Sequence, residues 1–289
     1  MKEILPELQA FDEYLTLKNF SKSTRKSYRC ALKQFLLWRV KNGYLGQLDQ
    51  QQARAYILQR YAQNLKWQTI NGDYSALMKY FRYVKKITWN IDHIPRPRKE
   101  RSLPRIIAIE DVEKIIAHAA SLKQQTFMCL LYATGIRLSE ALNLEVSHID
   151  GKRKQILIKR GKGAKDRYVD LPEKMLFMLR HYYKMYRPQK YLFYGNDRTQ
   201  QLAPRSAQHI LQVAAKKAGI NKNVSPHTFR HSYATHHLEN GTDLVYLQQQ
   251  MGHKHLKTTA KYIHLMQSQS WRINHPIVKL QIEYHPKIT

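Results

Sequence analysis

Between Ser225 and Leu265 the chain sets out, in a fixed order, three residue types that handle phosphate. His227 and Arg230 stand in a His-Thr-Phe-Arg-His run, His253 follows Gly252, and Tyr262 comes nine residues later. An arginine presents a planar fork of donors that matches phosphoryl oxygens. A histidine donates a hydrogen bond or moves a proton near neutral pH. A tyrosine hydroxyl, once deprotonated, can attack phosphorus and form a covalent intermediate. Two further pieces lie upstream: Arg137 in ThrGlyIleArgLeuSerGlu and Lys162 in GlyLysGlyAlaLysAspArg. A DNA phosphodiester resists attack because its oxygens repel nucleophiles and its 5′-oxygen leaves poorly. A catalyst must neutralise charge, align the nucleophile and protonate the leaving oxygen. Arg137 and Arg230 suit the non-bridging oxygens, Lys162 suits the leaving oxygen, and His227 and His253 suit proton and phosphate handling. This scheme needs no metal and no nucleotide cofactor, and the sequence shows no Walker motif, Asp/Glu cluster or HExxH. His236 and His237 with His231 fit no common zinc spacing, so no metal site is expected.

The elements that must position these residues follow from periodicity. Residues 1 to about 95 read as helices: Leu5–Leu17, a second capped by Ser21 or Ser23, then about 49–64 and 67–86, with Asn71-Gly72 interrupting the last near its start. On the second, Lys22, Lys26, Arg29 and Lys33 share a face suited to phosphate contact. The stretch 94–105 carries three prolines and six charged residues. It reads as an exposed basic linker whose Arg96, Arg98 and Arg101 could follow a phosphate backbone. Helices are then expected over 109–120 and 122–132, and a third opening at Arg137, with Glu140 placed to orient its guanidinium. Residues 155–159 and 167–171 form a hairpin with Lys162 at its tip. Helices over 176–187, 205–218 and from His227 complete the pattern. The fold class is mainly α with a small antiparallel β-sheet, in two lobes.

The chain has 289 residues, with 49 Lys and Arg against 21 Asp and Glu, a formal charge of +28. The excess is spread: 16 basic against 7 acidic over 1–95, 5 against 1 over 96–105, and 28 against 13 over 106–289. This points to a polyanionic partner gripped from two sides. Cys30 and Cys129 are read as reduced core thiols. No apolar run suits a signal peptide or a bilayer span, so a cytoplasmic protein with no membrane partner is expected.

The ordered Arg…Lys…His-x-x-Arg…His…Tyr series resembles the tyrosine site-specific recombinases, the family of phage integrases, Cre and the Xer proteins. The likeness is strongest from Thr134 to His264. Arg137, Lys162, His227, Arg230, His253 and Tyr262 each fall on a matching motif position, and His231 matches as a supporting residue. The resemblance implies a helical, SAM-like core-binding DNA domain over 1–93, the basic linker 94–105, and a catalytic domain over 106–289. It also implies cleavage of duplex DNA at a recombination site through a 3′-phosphotyrosyl bond, then strand exchange without metal or nucleotide cofactor. The homo-oligomer on DNA would be a tetramer in the synapse, and the apolar tail after Gln269 would dock on a neighbouring subunit. A compact Xer-like or integron-integrase-like type is expected. Two other readings stay open: a type IB topoisomerase, told apart by supercoil relaxation, and a catalytically silent DNA-binding protein, told apart by covalent trapping.

Overall fold

Ser21 accepts a hydrogen bond from the Thr24 amide at 3.2 Å and so starts α2 (Lys22–Lys41), one of the helices that build the first of two compact units. The computed structural model describes residues 4–44, 46–98, 104–159 and 166–265. The chain divides into Met1–Ser102 and Leu103–Thr289. In the first unit α1 (Leu5–Leu17) packs on α2, followed by α3 (Gln50–Ala62) and α4 (Trp67–Lys79), which runs on into a π-helical turn, Tyr80–Val84. Phe11, Leu15, Leu32, Phe35, Ile70, Tyr74, Leu77 and Phe81 fill its core. Full burial of such side chains is worth about 1.5–3 kcal/mol each. This explains why Asn71-Gly72 does not interrupt α4: a mid-helix glycine costs only about 1 kcal/mol, and Ile70 and Tyr74 are buried on either side of it.

The basic stretch departs from the exposed linker expected of it. Ile94 is buried against the first core, and Trp67 Nε1 donates to the Pro97 carbonyl at 3.2 Å. Arg96 donates to Asn71 Oδ1 at 3.0 Å and Ser75 Oγ at 3.3 Å, with its guanidinium 5.9 Å from the Tyr74 ring centre. Charged residues did not prevent packing because their apolar neighbours turn inward while Arg96 and Arg98 stay exposed.

The second unit opens with α5 (Ile109–Ala117) and α6 (Leu122–Thr134), capped by Ser121. Gly135, at φ 57°, ends α6 in the left-handed region, and a Cβ there would stand 2.2 Å from the Tyr233 ring. The chain can therefore reverse tightly into α7 (Leu138–Leu142). Three antiparallel strands follow in the order β1 (Ile149–Asp150), β2 (Gln155–Ile158) and β3 (Arg167–Asp170). In the β2–β3 pair Gln155 faces Asp170 and Ile158 faces Arg167. The short β1 was not expected. The helices α8 (Glu173–Tyr186), α9 (Pro204–Lys217), α10 (Pro226–Glu239), α11 (Leu244–Met251) and α12 (Leu256–Ala260) complete the unit. Among the described residues no helix is long and apolar enough to cross a membrane.

Candidate active site

The C-terminal end of α11 anchors the site. A helix end leaves carbonyls without intrahelical partners and carries partial negative charge. Here three consecutive carbonyls each take a guanidinium from elsewhere in the unit. Arg167 Nε donates to Gln250 O at 3.2 Å, Arg230 Nη2 to Met251 O at 2.6 Å, and Arg137 Nη2 to Gly252 O at 3.0 Å. Gly252 closes α11 at φ 61°, and a Cβ on it would lie 2.7 Å from Arg167 Cζ. A glycine is required there on both counts.

α10 brings His227, His231 and Arg230. Ser225 caps it, accepting from the Thr228 amide at 3.2 Å, and Pro226 pre-sets the first turn. Arg230, only 4% exposed, also donates from Nη1 to the Gly135 carbonyl and from Nη2 to His253 Nε2 at 3.0 Å. Burial, and next the charge of Arg137, push its pKa down to about 10, which still leaves it charged at neutral pH. An arginine only donates, so Nε2 of His253 accepts, and its ring proton on Nδ1 reaches Thr259 Oγ1 at 2.9 Å.

Tyr262 stands just past α12 and is 4% exposed, packed with Tyr233, Leu238, Leu247 and Met251. Its ring lies 6.3 Å from that of His253, with 16° between the planes. Its hydroxyl shares a 2.9 Å hydrogen bond with His231 Nδ1. Burial raises the pKa of the hydroxyl, while Arg230 and Arg137 pull it the other way. Burial, then His227, then Arg230 lower His231 to about 4. His227 opens α10 with its ring 6.3 Å from that of His231. The residue as a whole is exposed, yet the atoms crowding its ring, followed by Arg230 and Arg137, lower its pKa.

The structure thus brings Arg137, His227, Arg230, His253 and Tyr262 into one cluster, while Lys162 lies outside the described residues. Sequence reasoning overlooked Arg167. Its guanidinium makes a two-pronged bridge to Glu140, Nη1 to Oε1 at 2.9 Å and Nη2 to Oε2 at 2.8 Å. Glu140 also accepts from Arg137 Nη1 at 2.9 Å and from the Arg137 amide at 2.8 Å. Burial raises the Glu140 pKa, but the hydrogen bonds and charges of Arg167 and Arg137 outweigh it and hold the carboxyl down to about 2. One signal was present: Arg167 shares a strand face with buried Val169 and Leu171, and an inward arginine needs a carboxylate.

In the first unit Lys22, Lys26, Arg29 and Lys33 all stand exposed along α2. With Leu8, Asp12, Arg25 and Cys30 they line a shallow groove of about 490 Å³. Asp12 takes Arg25 at 2.5 Å and lies 3.8 Å from Arg29. Arg96 and Arg98 are exposed, and Arg101 lies outside the described residues.

Comparison with known proteins adds a family to this geometry. The phage integrase family profile matches residues 105–269, and that of the phage integrase N-terminal SAM-like domain matches 8–91. Tyrosine recombinase XerC of Anoxybacillus flavithermus is 32% identical over 286 residues, covering 92% of this chain and 95% of the relative. Tyrosine recombinase XerA of Pyrococcus horikoshii is 30% identical over 258 residues, covering 88% and 87%. Among solved structures, XerH site-specific recombinase bound to difH substrate in a pre-cleavage complex shares the fold. Its TM-score is 0.67 at 22% identity, over 85% of this chain and 76% of that one. With the profile covering the whole Arg137-to-Tyr262 cluster and both relatives matching nearly end to end, the chain belongs to the phage integrase family and is a tyrosine recombinase.

Proposed function

We propose that this protein is a site-specific DNA recombinase that cuts and rejoins duplex DNA with Tyr262 as its nucleophile. The observation that carries the reading is the Arg230–His253–Tyr262 stack. A buried, doubly anchored guanidinium donates to an imidazole whose ring faces that of the tyrosine. In this reading Arg137 and Arg230 hold the non-bridging oxygens of the scissile phosphate. The Tyr262 oxygen attacks phosphorus and its proton passes to a neighbouring imidazole, while the bond from phosphorus to the 5′-oxygen breaks. Lys162 protonates that oxygen. The products are a 3′-phosphotyrosyl bond and a free 5′-hydroxyl, and attack by the 5′-hydroxyl of a partner strand exchanges the strands. His227 hydrogen-bonds the phosphate as charge develops, while His253, its Nε2 taken by Arg230, keeps that guanidinium in place.

The partner is double-stranded DNA, held by the first unit as a core-binding domain and the second as the catalytic domain. Lys22, Lys26, Arg29, Lys33, Arg98 and Arg101 bind its backbone, and Arg96 does so with part of its donor capacity taken by Asn71 and Ser75. The buried, inward-bonded Tyr262 hydroxyl must leave His231 to reach a phosphate. That change is the natural point of control for a homo-oligomer, a tetramer in the synapse, in which a neighbour decides when a subunit cuts.

The test is covalent capture. A duplex selected by the wild-type protein from a randomised library, nicked so that the cleaved fragment diffuses away, should give a detergent-stable adduct. Tyr262→Phe should bind the same duplex and give none. An adduct on the Phe variant removes Tyr262 from the role, and no adduct with the wild type removes the recombinase reading.

A further inference from the structure

Three of the five donors of Arg167 are committed within the fold. Two prongs hold Glu140 and Nε holds the Gln250 carbonyl, with only 15% of the side chain exposed. Glu140 is 5% exposed and divides its oxygens between Arg167 and Arg137. Arg137 in turn also donates from Nη2 to the Gly252 carbonyl at 3.0 Å, one residue before His253. A carboxylate this deeply buried is stable only while its positive partners stay in place. Remove Arg167 and Glu140 keeps a single guanidinium, which it can then draw inward with both oxygens. Arg137 would turn from the Gly252 side toward Glu140, away from any oxygen lying over the stack.

The strand that begins at Arg167 is also tied to α11 at two further points. Gln250 Oε1 accepts from the Asp170 amide at 2.9 Å, and the Tyr246 hydroxyl donates to Asp170. Asp170 thus gives the strand an attachment to α11 that does not pass through the Arg167 side chain. The Arg167–Glu140 bridge runs instead to α7, the helix that starts beside Arg137.

Resting on the recombinase reading above, we propose that Arg167 is a positioning residue for strand cleavage. It holds Glu140 so that Arg137 presents its guanidinium to a non-bridging phosphate oxygen. Arg167 itself does not contact the reacting atoms.

The experiment uses the full-length protein and the nicked duplex captured by the wild type, made in two forms. One has an ordinary scissile phosphodiester. The other has a methylphosphonate, in which a neutral methyl group replaces one non-bridging oxygen and lessens the demand for a cation. Arg137→Ala is expected to cut the phosphodiester about 10²–10³-fold more slowly, the usual loss for one oxyanion donor. Arg167→Ala should lose about 10–10²-fold by the same route. On the methylphosphonate both losses should shrink together to roughly fivefold or less. In an Arg137→Ala background, adding Arg167→Ala should cost less than about threefold, because residues acting as one unit are not additive. Arg167→Lys keeps the charge but not the fork, and carries the same comparison if the alanine variant fails to fold. A loss equal on both substrates, or one that multiplies with that of Arg137→Ala, overturns the proposal and leaves Arg167 a packing residue. Absence of any wild-type adduct instead fails the recombinase reading itself, so the two failures are distinct.

Discussion

The Tyr262 hydroxyl and His231 Nδ1 share a 2.9 Å hydrogen bond inside the fold, with the imidazole held to a pKa of about 4. In the unfolded chain that ring takes a proton near pH 6.5. The unfolded state therefore binds the proton more readily, and the stability tied to His231 is whole above about pH 6.5 and lost as pH falls toward 4. His231→Gln keeps a polar partner for Tyr262 and removes the titration. Between pH 7 and 5 the urea midpoint of the wild type should fall further than that of the variant. The slope will not vanish, since His148, His227, His236 and His237 are also lowered. Parallel falls in the two proteins would mean that His231 is not held neutral.

Gly252 and Gly219 form a matched pair for alanine substitution. Both have positive φ, 61° and 71°, but a Cβ on Gly219 meets nothing within 4 Å, whereas one on Gly252 strikes the Arg167 guanidinium. Gly219→Ala should cost only the left-handed strain, about 1–2 kcal/mol. Gly252→Ala should cost that and about 1–3 kcal/mol more through the displaced bridge. Denaturant midpoints report the difference, and equal costs would show that Arg167 yields freely.

Lys162→Ala should slow cleavage of an ordinary nicked duplex by about 10²–10⁴-fold, the span of general acid catalysis. A 5′-thio leaving group needs no proton, so the variant should recover on it by at least about tenfold relative to wild type. Uniform loss on both substrates would move the acid elsewhere, with Lys165 the next residue to examine.

Deletion of residues after Gln269 tests the tail. Trp271, Ile273, Ile277, Val278, Leu280 and Ile282 make it apolar in sequence, and it lies outside the described residues. Binding to one site should survive while pairing of two sites, followed by gel mobility or light scattering, should be lost. A truncated protein that still pairs sites would limit the tail to packing on its own subunit.

Much of this was legible in the chain because its signals are local. Ser21 starts a helix as a cap, and the alternation over 155–158 and 167–170 fixes two paired strands. The spacing of His227, Arg230, His253 and Tyr262 is likewise carried by α10 to α12 over a short stretch. What escaped depends on contacts distant in sequence. Arg137 meets Gly252 across 115 residues, and Arg167 meets Gln250 across 83. No periodicity announces such a pairing. Ile94 and Pro97 were missed for another reason: the charges around them suggested exposure, while burial was decided by Trp67 and Tyr74 from another part of the chain. The π-helical turn at Tyr80–Val84, where Tyr80 and Phe81 are buried, has no signature in the local pattern.

The end of α11 has a practical meaning for anyone splicing recombinases. Arg137, Arg167 and Arg230 hang from consecutive carbonyls of one helix, so a protein joined from two parents inherits the site whole or scrambles it. A crossover anywhere from 138 to 251 would pair a guanidinium from one parent with a turn shaped by the other. A junction at Ser102–Leu103, where the chain divides, leaves every one of these bonds within a single parent. Chimeras that exchange the first unit there should keep their chemistry while changing the DNA they choose.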